Sequence, residues 1–183
     1  MRHTHPTPLG RGSQLGLGLR RLRLGLPLVL GLVLGAAAGL ACDPDPAACG
    51  PTQGVVERVL DGDTIVLDTG EHVRYLLVDT PEIHEPIGCY GTEAADFNRS
   101  LVEGKTVHLS YDVECTDRYE RLLAYVELDG RSVNELLLTR GFACVLHISP
   151  NGADRVEEYR RLEEQAQVGQ VGLWSACTES PCD

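Results

Sequence analysis

Acidic residues are absent from the first 41 positions, and basic ones are scarce in everything that follows. Residues 1–41 hold five arginines and no Asp or Glu, and the rest sets 11 basic residues against all 27 acidic ones, a charge of about −16. A basic start, an apolar stretch after Arg23 and small residues before Cys42 make 1–41 a secretory signal. That stretch is short and rich in Gly and Ala, which disfavours a transmembrane anchor. The shortage of Lys and Arg afterwards excludes a broad cationic face, the usual source of affinity for polyanions. No C-x-x-C and no paired-His spacing occurs, so a zinc site has no support.

What is present begins with seven cysteines, Cys42, Cys49, Cys89, Cys115, Cys144, Cys177 and Cys182. Cleavage after Ala41 would leave Cys42 first in the exported chain, where it can carry lipid; membrane anchoring through Cys42 and simple secretion both stay open. Setting Cys42 aside leaves an even number, suited to disulfides in an oxidising compartment. Cys177 and Cys182 flank a Pro-containing turn and are placed to pair locally. Cys89 and Cys115 lie in loops where bridges would pin the edges of the site described next. A zone of breakers makes 42–53 a flexible linker, 54–176 the folded domain and 177–183 a short tail.

The domain is organised around Asp61 to Glu82, DGDTIVLDTGEHVRYLLVDTPE. Ile65 to Leu67 and Val73 to Val78 have strand character, with turn chemistry at Thr69-Gly70, so an antiparallel hairpin is expected. Folding about that turn brings Asp61-Gly62-Asp63-Thr64 and Asp79-Thr80-Pro81-Glu82 to one end of the strand pair. Carboxylates gathered on a rigid strand end repel one another unless a hard cation sits among them, and oxygen ligands suit calcium or magnesium. Arg74 and Asp79 are five apart, so plain alternation puts them on opposite faces; the strand must kink or end before Asp79.

These residues resemble the staphylococcal nuclease (thermonuclease) family, whose signatures are a DGDT turn followed by R-x-x-x-x-D-T-P-E and, later, D-x-Y-x-R-x-L-A-Y. The second stands here as Asp117-Arg118-Tyr119-Glu120-Arg121-Leu122-Leu123-Ala124-Tyr125. The likeness spans about Gly54 to Trp174. It implies that Asp63 and Asp79 ligate Ca²⁺ with the Thr80 carbonyl, and that Asp61 acts through water. It also implies Glu82 as general base, Arg74 and Arg121 as the arginines that grip the phosphate, and Arg118 and Tyr119 as contacts to the terminal phosphate and base.

The chain departs from the family in its groove. Glu120 stands where the family has glycine, His147 and Ser149 stand where two tyrosines stack on the base, and the Glu82–Tyr90 loop is shorter by about three residues.

Around this hairpin, Gly54 to Leu60 reads as a first strand, Thr106 to Tyr111 as a fourth and Leu122 to Leu128 as a fifth. A helix follows Gly91, with Thr92 as cap and Ala94, Phe97 and Leu101 at helical spacing. Ser132-x-x-Glu135 is a capping box for a second helix, and 154–168 forms a third, with Trp174 packing its end on the core. The order suits a mainly β fold with helices (α+β), a five-stranded OB-fold barrel plus three helices, as the resemblance also implies. Three functions are in play. The leading one is an exported, monomeric Ca²⁺-dependent nuclease that cleaves DNA and RNA and favours single strands. The others are a non-catalytic OB nucleic-acid-binding module and a calcium-binding structural protein.

Overall fold

The computed structural model describes residues 49–179; the expected leader, Cys42 and Cys182 lie outside the described residues. The elements run β1 (Gln53–Val59), β2 (Thr64–Leu67), β3 (His72–Tyr75), β4 (Leu77–Asp79), α1 (Gly91–Val102), β5 (Thr106–Thr116), β6 (Leu122–Leu128), β7 (Arg131–Ser132), α2 (Val133–Thr139), β8 (Cys144–Leu146), α3 (Val156–Val168) and α4 (Leu173–Ala176).

β1, β2 and β3 form the expected antiparallel meander, β5 pairs with β1 and β6, and β3 closes on β6 in parallel. Five strands therefore close into a barrel, which leaves no sheet edge among them. Inside lie Val56, Ile65, Leu67, Val73, Tyr75, Val107, Ala124 and Val126, all nearly or fully buried. α1 supplies Ala94, Ala95, Asn98 and Val102 to the interior. On α3 the face Val156, Tyr159 and Ala166 is buried, as the 3.6-residue period requires.

The structure differs from expectation at five places. The run Val73 to Val78 is two strands, broken at Leu76 where Leu77 takes φ +62°; β4 then leaves the barrel to pair with β8, a strand the sequence reading did not include. α1 has no side-chain cap at its start; Tyr90 precedes it with φ +71° and Gly91 is its first residue. A Cβ on Gly91 would lie 2.4 Å from the Glu82 carbonyl oxygen, so close backbone packing sets this helix start rather than Thr92. Leu173, fully buried, is the residue that seats α4 on the core, while Trp174 is only partly buried.

The last residues of the expected linker are tied to the barrel. Cys49 is bonded to Cys115 and the Leu109 N–H donates to the Thr52 carbonyl at 2.8 Å. Finally, Cys177 pairs with Cys89 across 88 residues instead of with Cys182. α4 carries Cys177 back to the start of α1, so spatial proximity overrides closeness in sequence. Cys144 is disulfide-bonded as well.

Candidate active site

The DGDT turn closes on itself and on Thr80. The Asp61 carboxylate accepts from the Asp63 N–H at 3.0 Å, and the Leu60 N–H donates to the Thr64 carbonyl at 2.9 Å. Gly62 lies against Thr80 so tightly that a Cβ would sit 2.6 Å from its Oγ1 and Cγ2. Asp63, buried, accepts from the Thr80 N–H at 2.8 Å and hydroxyl at 3.1 Å through Oδ2, and from the Thr64 hydroxyl at 3.1 Å through Oδ1. Burial pushes its carboxyl up to about 6; the Arg74 charge and the Thr80 hydrogen bonds pull it down, and the Asp61 charge adds to the rise.

Arg74 points from β3 into this cluster. Its Nε lies 3.1 Å from Asp63 Oδ1 and its Nη2 2.6 Å from Asp79 Oδ1. Nη1 donates to the carbonyls of Tyr75 at 2.8 Å and Val78 at 2.6 Å. The guanidinium fork is thus oriented by backbone on one side and held between two carboxylates on the other. Asp61, Asp63, Arg74, Asp79 and Thr80 are brought together as the hairpin predicted.

A second set is built on the β5–β6 connection. The Glu120 N–H donates to the Asp117 carbonyl at 3.0 Å, and the Asp117 N–H to the Arg121 carbonyl at 3.1 Å. Glu120 takes φ +63°, the left-handed conformation in which a Cβ is disfavoured. Asp117 Oδ2 holds Arg121 by Nε at 2.8 Å and Nη2 at 2.7 Å. Burial would raise the Asp117 carboxyl, but hydrogen bonds from the Arg121 side chain and from the N–H groups of Arg121 and Tyr119 hold it below the ordinary carboxylate value. Tyr119, 64% exposed, is flanked by Arg118 at 4.8 Å and Arg121 at 5.5 Å from its ring centre.

Arg74, Arg118, Tyr119 and Arg121 line one pocket of about 520 Å³. Its other wall is aliphatic, with Leu77, Leu146 and Ile148. Glu82 does not line it. Glu82 is exposed on the loop before α1, and among the described residues its carboxylate has no hydrogen-bond or ion-pair partner.

Comparison with known proteins resolves what this architecture is. Residues 72–176 match the family model described as "Staphylococcal nuclease homologue". The chain belongs to the staphylococcal nuclease family. It is 40% identical to "Endonuclease YncB" of Bacillus subtilis (strain 168) over 66% of this chain and 60% of that protein. It is 37% identical to "SPbeta prophage-derived endonuclease YokF" of the same organism, over 66% of this chain and 43% of the relative. A "Thermonuclease" of Staphylococcus hyicus is 38% identical over 66% of this chain and 74% of its own length. The match therefore spans less than two thirds of the two Bacillus relatives.

The donor set at the turn fits a hard cation. Asp63 and Asp79 already converge on one positive group, the Arg74 guanidinium, and the Asp63–Thr80 hydrogen bonds keep the Asp79–Thr80 backbone beside Asp63. All the donors are oxygen. Among the described residues no three His, Cys, Asp or Glu side chains form a cluster able to hold a metal; two carboxylates, a carbonyl and water are the set this fit requires.

Two supporting residues were missed. Asn98, fully buried on α1, donates to the Asp61 carbonyl at 3.3 Å and accepts from the Tyr75 hydroxyl at 3.1 Å. Asn134, fully buried on α2, donates to the Leu76 carbonyl at 2.9 Å and accepts from the Val126 N–H at 2.9 Å, bridging the break between β3 and β4. A polar amide on the apolar face of a helix was the signal available for both.

Proposed function

We propose that the chain is an exported, Ca²⁺-dependent nuclease that hydrolyses phosphodiester bonds of DNA and RNA. The observation that carries this reading is the Arg74 guanidinium, held between Asp63 and Asp79 while lining the same pocket as Arg118, Tyr119 and Arg121. Asp63, Asp79 and the Thr80 carbonyl would hold the ion, with Asp61 acting through water. Ca²⁺ supplies charge neutralisation to a phosphate that would otherwise repel a nucleophile.

The chain's own groups do the rest. Glu82, an exposed carboxylate, takes the proton of a water molecule as its oxygen attacks phosphorus. Arg74 and Arg121 follow the charge that builds on the equatorial oxygens, because a planar guanidinium stays charged and presents two donors at once. The P–O bond to the departing nucleoside breaks, and its oxygen takes a proton from solvent. Arg118 and Tyr119 contact the neighbouring phosphate and base. A pocket of about 520 Å³ with an exposed aromatic ring suits an unstacked nucleotide, which favours single strands. The disulfides agree with an oxidising compartment; a monomer, secreted or tethered through a lipid on Cys42, completes the proposal.

The test is cleavage of single-stranded DNA and RNA by the oxidised protein, with Ca²⁺ and with chelator, beside Glu82→Ala. Ca²⁺-dependent cleavage lost in the variant is expected. A folded protein that binds Ca²⁺ and oligonucleotide without cutting would instead be a binding module.

A further inference from the structure

The segment carrying Glu82 is the least fastened part of the site. Residues 81–90 contain no helix or strand, and Glu82, His84, Glu85, Pro86 and Ile87 are exposed. Among the described residues, no side chain from 81 to 90 makes a hydrogen bond or ion pair. What holds the loop lies at its far end. The Gly88 N–H donates to the Glu82 carbonyl at 2.8 Å, and the Gly91 N–H to the Gly88 carbonyl at 3.0 Å. Gly91 itself lies against the Pro81 and Glu82 carbonyls, and the Tyr90 ring stacks on Phe142 at 5.4 Å. Between these contacts sits Cys89, bonded to Cys177 with the Cα atoms 5.9 Å apart.

Cys177 is well anchored. It directly follows α4, where Leu173 is fully buried and its N–H donates to the Gly141 carbonyl at 2.8 Å. The Cys89–Cys177 bond therefore links the 88–91 clamp on the Glu82 backbone to the core. We propose that Cys89 and Cys177 are positioning residues for the reaction: their disulfide holds the clamp in place and so sets how often Glu82 stands where a water must be deprotonated. This rests on Glu82 being the base. Displacing a catalytic group by about 1 Å costs on the order of a hundredfold in rate, whereas the phosphate and cation contacts, apart from Thr80 and Asp79 at its edge, lie outside the 81–91 segment and would be spared.

The experiment compares the oxidised full chain with Cys89→Ser/Cys177→Ser. Expected are a kcat lower by about tenfold or more with KM and Ca²⁺ affinity within about twofold, and faster amide exchange confined to Gly88 and Gly91. Unchanged kcat with unchanged exchange at those amides overturns the proposal; so does a uniform rise in exchange across the barrel, the mark of a bond that only adds stability. Should the variant not fold, wild-type protein is partly reduced with dithiothreitol, which gives two electrons and two protons to the bond and closes to its own disulfide. Activity loss that tracks opening of Cys89–Cys177 supports the proposal, and loss that tracks another pair overturns it. A wild type that cuts nothing would refute the nuclease reading, and exchange at Gly88 and Gly91 would still decide whether the bond holds the loop.

Discussion

Arg74 and Asp79 touch at 2.6 Å although they stand five positions apart along an extended chain. In an unbroken strand they would face opposite ways. Leu77, at φ +62°, breaks the alternation, and Asn134 takes up the Leu76 carbonyl next to it. A left-handed non-glycine residue costs on the order of 1 kcal/mol, offset here by burying Leu77 and by pairing β4 with β8.

Removing the guanidinium should cost stability as well as the proposed activity. Arg74→Ala leaves Asp63 buried without the charge that offsets its burial, a loss of about 3 kcal/mol at neutral pH; the pairing with half-exposed Asp79 contributes little of it. Denaturant titration should show that loss shrinking at pH 5, where Asp63 takes a proton instead. An equal loss at both values would mean that Asp63 is not the group affected.

The raised Asp63 carboxyl has a direction that can be checked. Its folded value, about 6, lies above its unfolded one, 3.8. The metal-free folded state therefore binds the proton more tightly, and this group's contribution to stability falls as pH rises from roughly 4 to 6. Asp63→Asn should match or exceed the metal-free wild type in stability at pH 7, with the advantage gone by about pH 4. On the proposed assignment Ca²⁺ displaces the same proton, so calorimetry should show its affinity dropping by about tenfold per pH unit below 6. Affinity independent of pH between 5 and 7 would remove Asp63 from the ligand set.

Glu120 occupies a position whose backbone favours glycine. Glu120→Gly should stabilise the protein by about 1 kcal/mol, seen as a higher melting temperature. Losing a negative charge beside Arg121 should also strengthen oligonucleotide binding, most at low salt. A lower melting temperature would show that the Glu120 side chain compensates for its backbone.

Gly62→Ala tests how the turn is held against Thr80. The new methyl would meet Thr80 at 2.6 Å, which no rotamer relieves, so Thr80 must shift away from Asp63. A stability loss of about 1–3 kcal/mol is expected, with Ca²⁺ affinity reduced more than oligonucleotide binding. Unchanged Ca²⁺ affinity would separate the turn from the cation site.

Much of this was legible along the chain. The hairpin strands followed from apolar runs flanking the turn at Thr69-Gly70 and the helices from a period of 3.6, and Asp61, Asp63 and Asp79 met at one end of that hairpin while Glu82 stayed apart. Ser132 does accept from the Glu135 N–H, as the capping box predicts. Less legible was anything that depends on distant neighbours. The run Val73 to Val78, apolar but for Arg74, gives no sign of the break at Leu77, because β8, some 70 positions later, makes the detour favourable. Asn98 and Asn134 stand on apolar helix faces, but which backbone groups they satisfy is seen only in the fold.

The sequence by itself determined the local elements and named the candidate site residues, since side-chain period and residue chemistry act over a few positions. Tertiary structure alone decided that Arg74 turns to Asp79, that Cys89 meets Cys177 rather than leaving it to Cys182, and that α1 starts against the Glu82 carbonyl. Each of these depends on elements meeting in space, β4 with β8, α4 with the start of α1, and α1 with the Glu82 backbone, and no local pattern encodes those meetings.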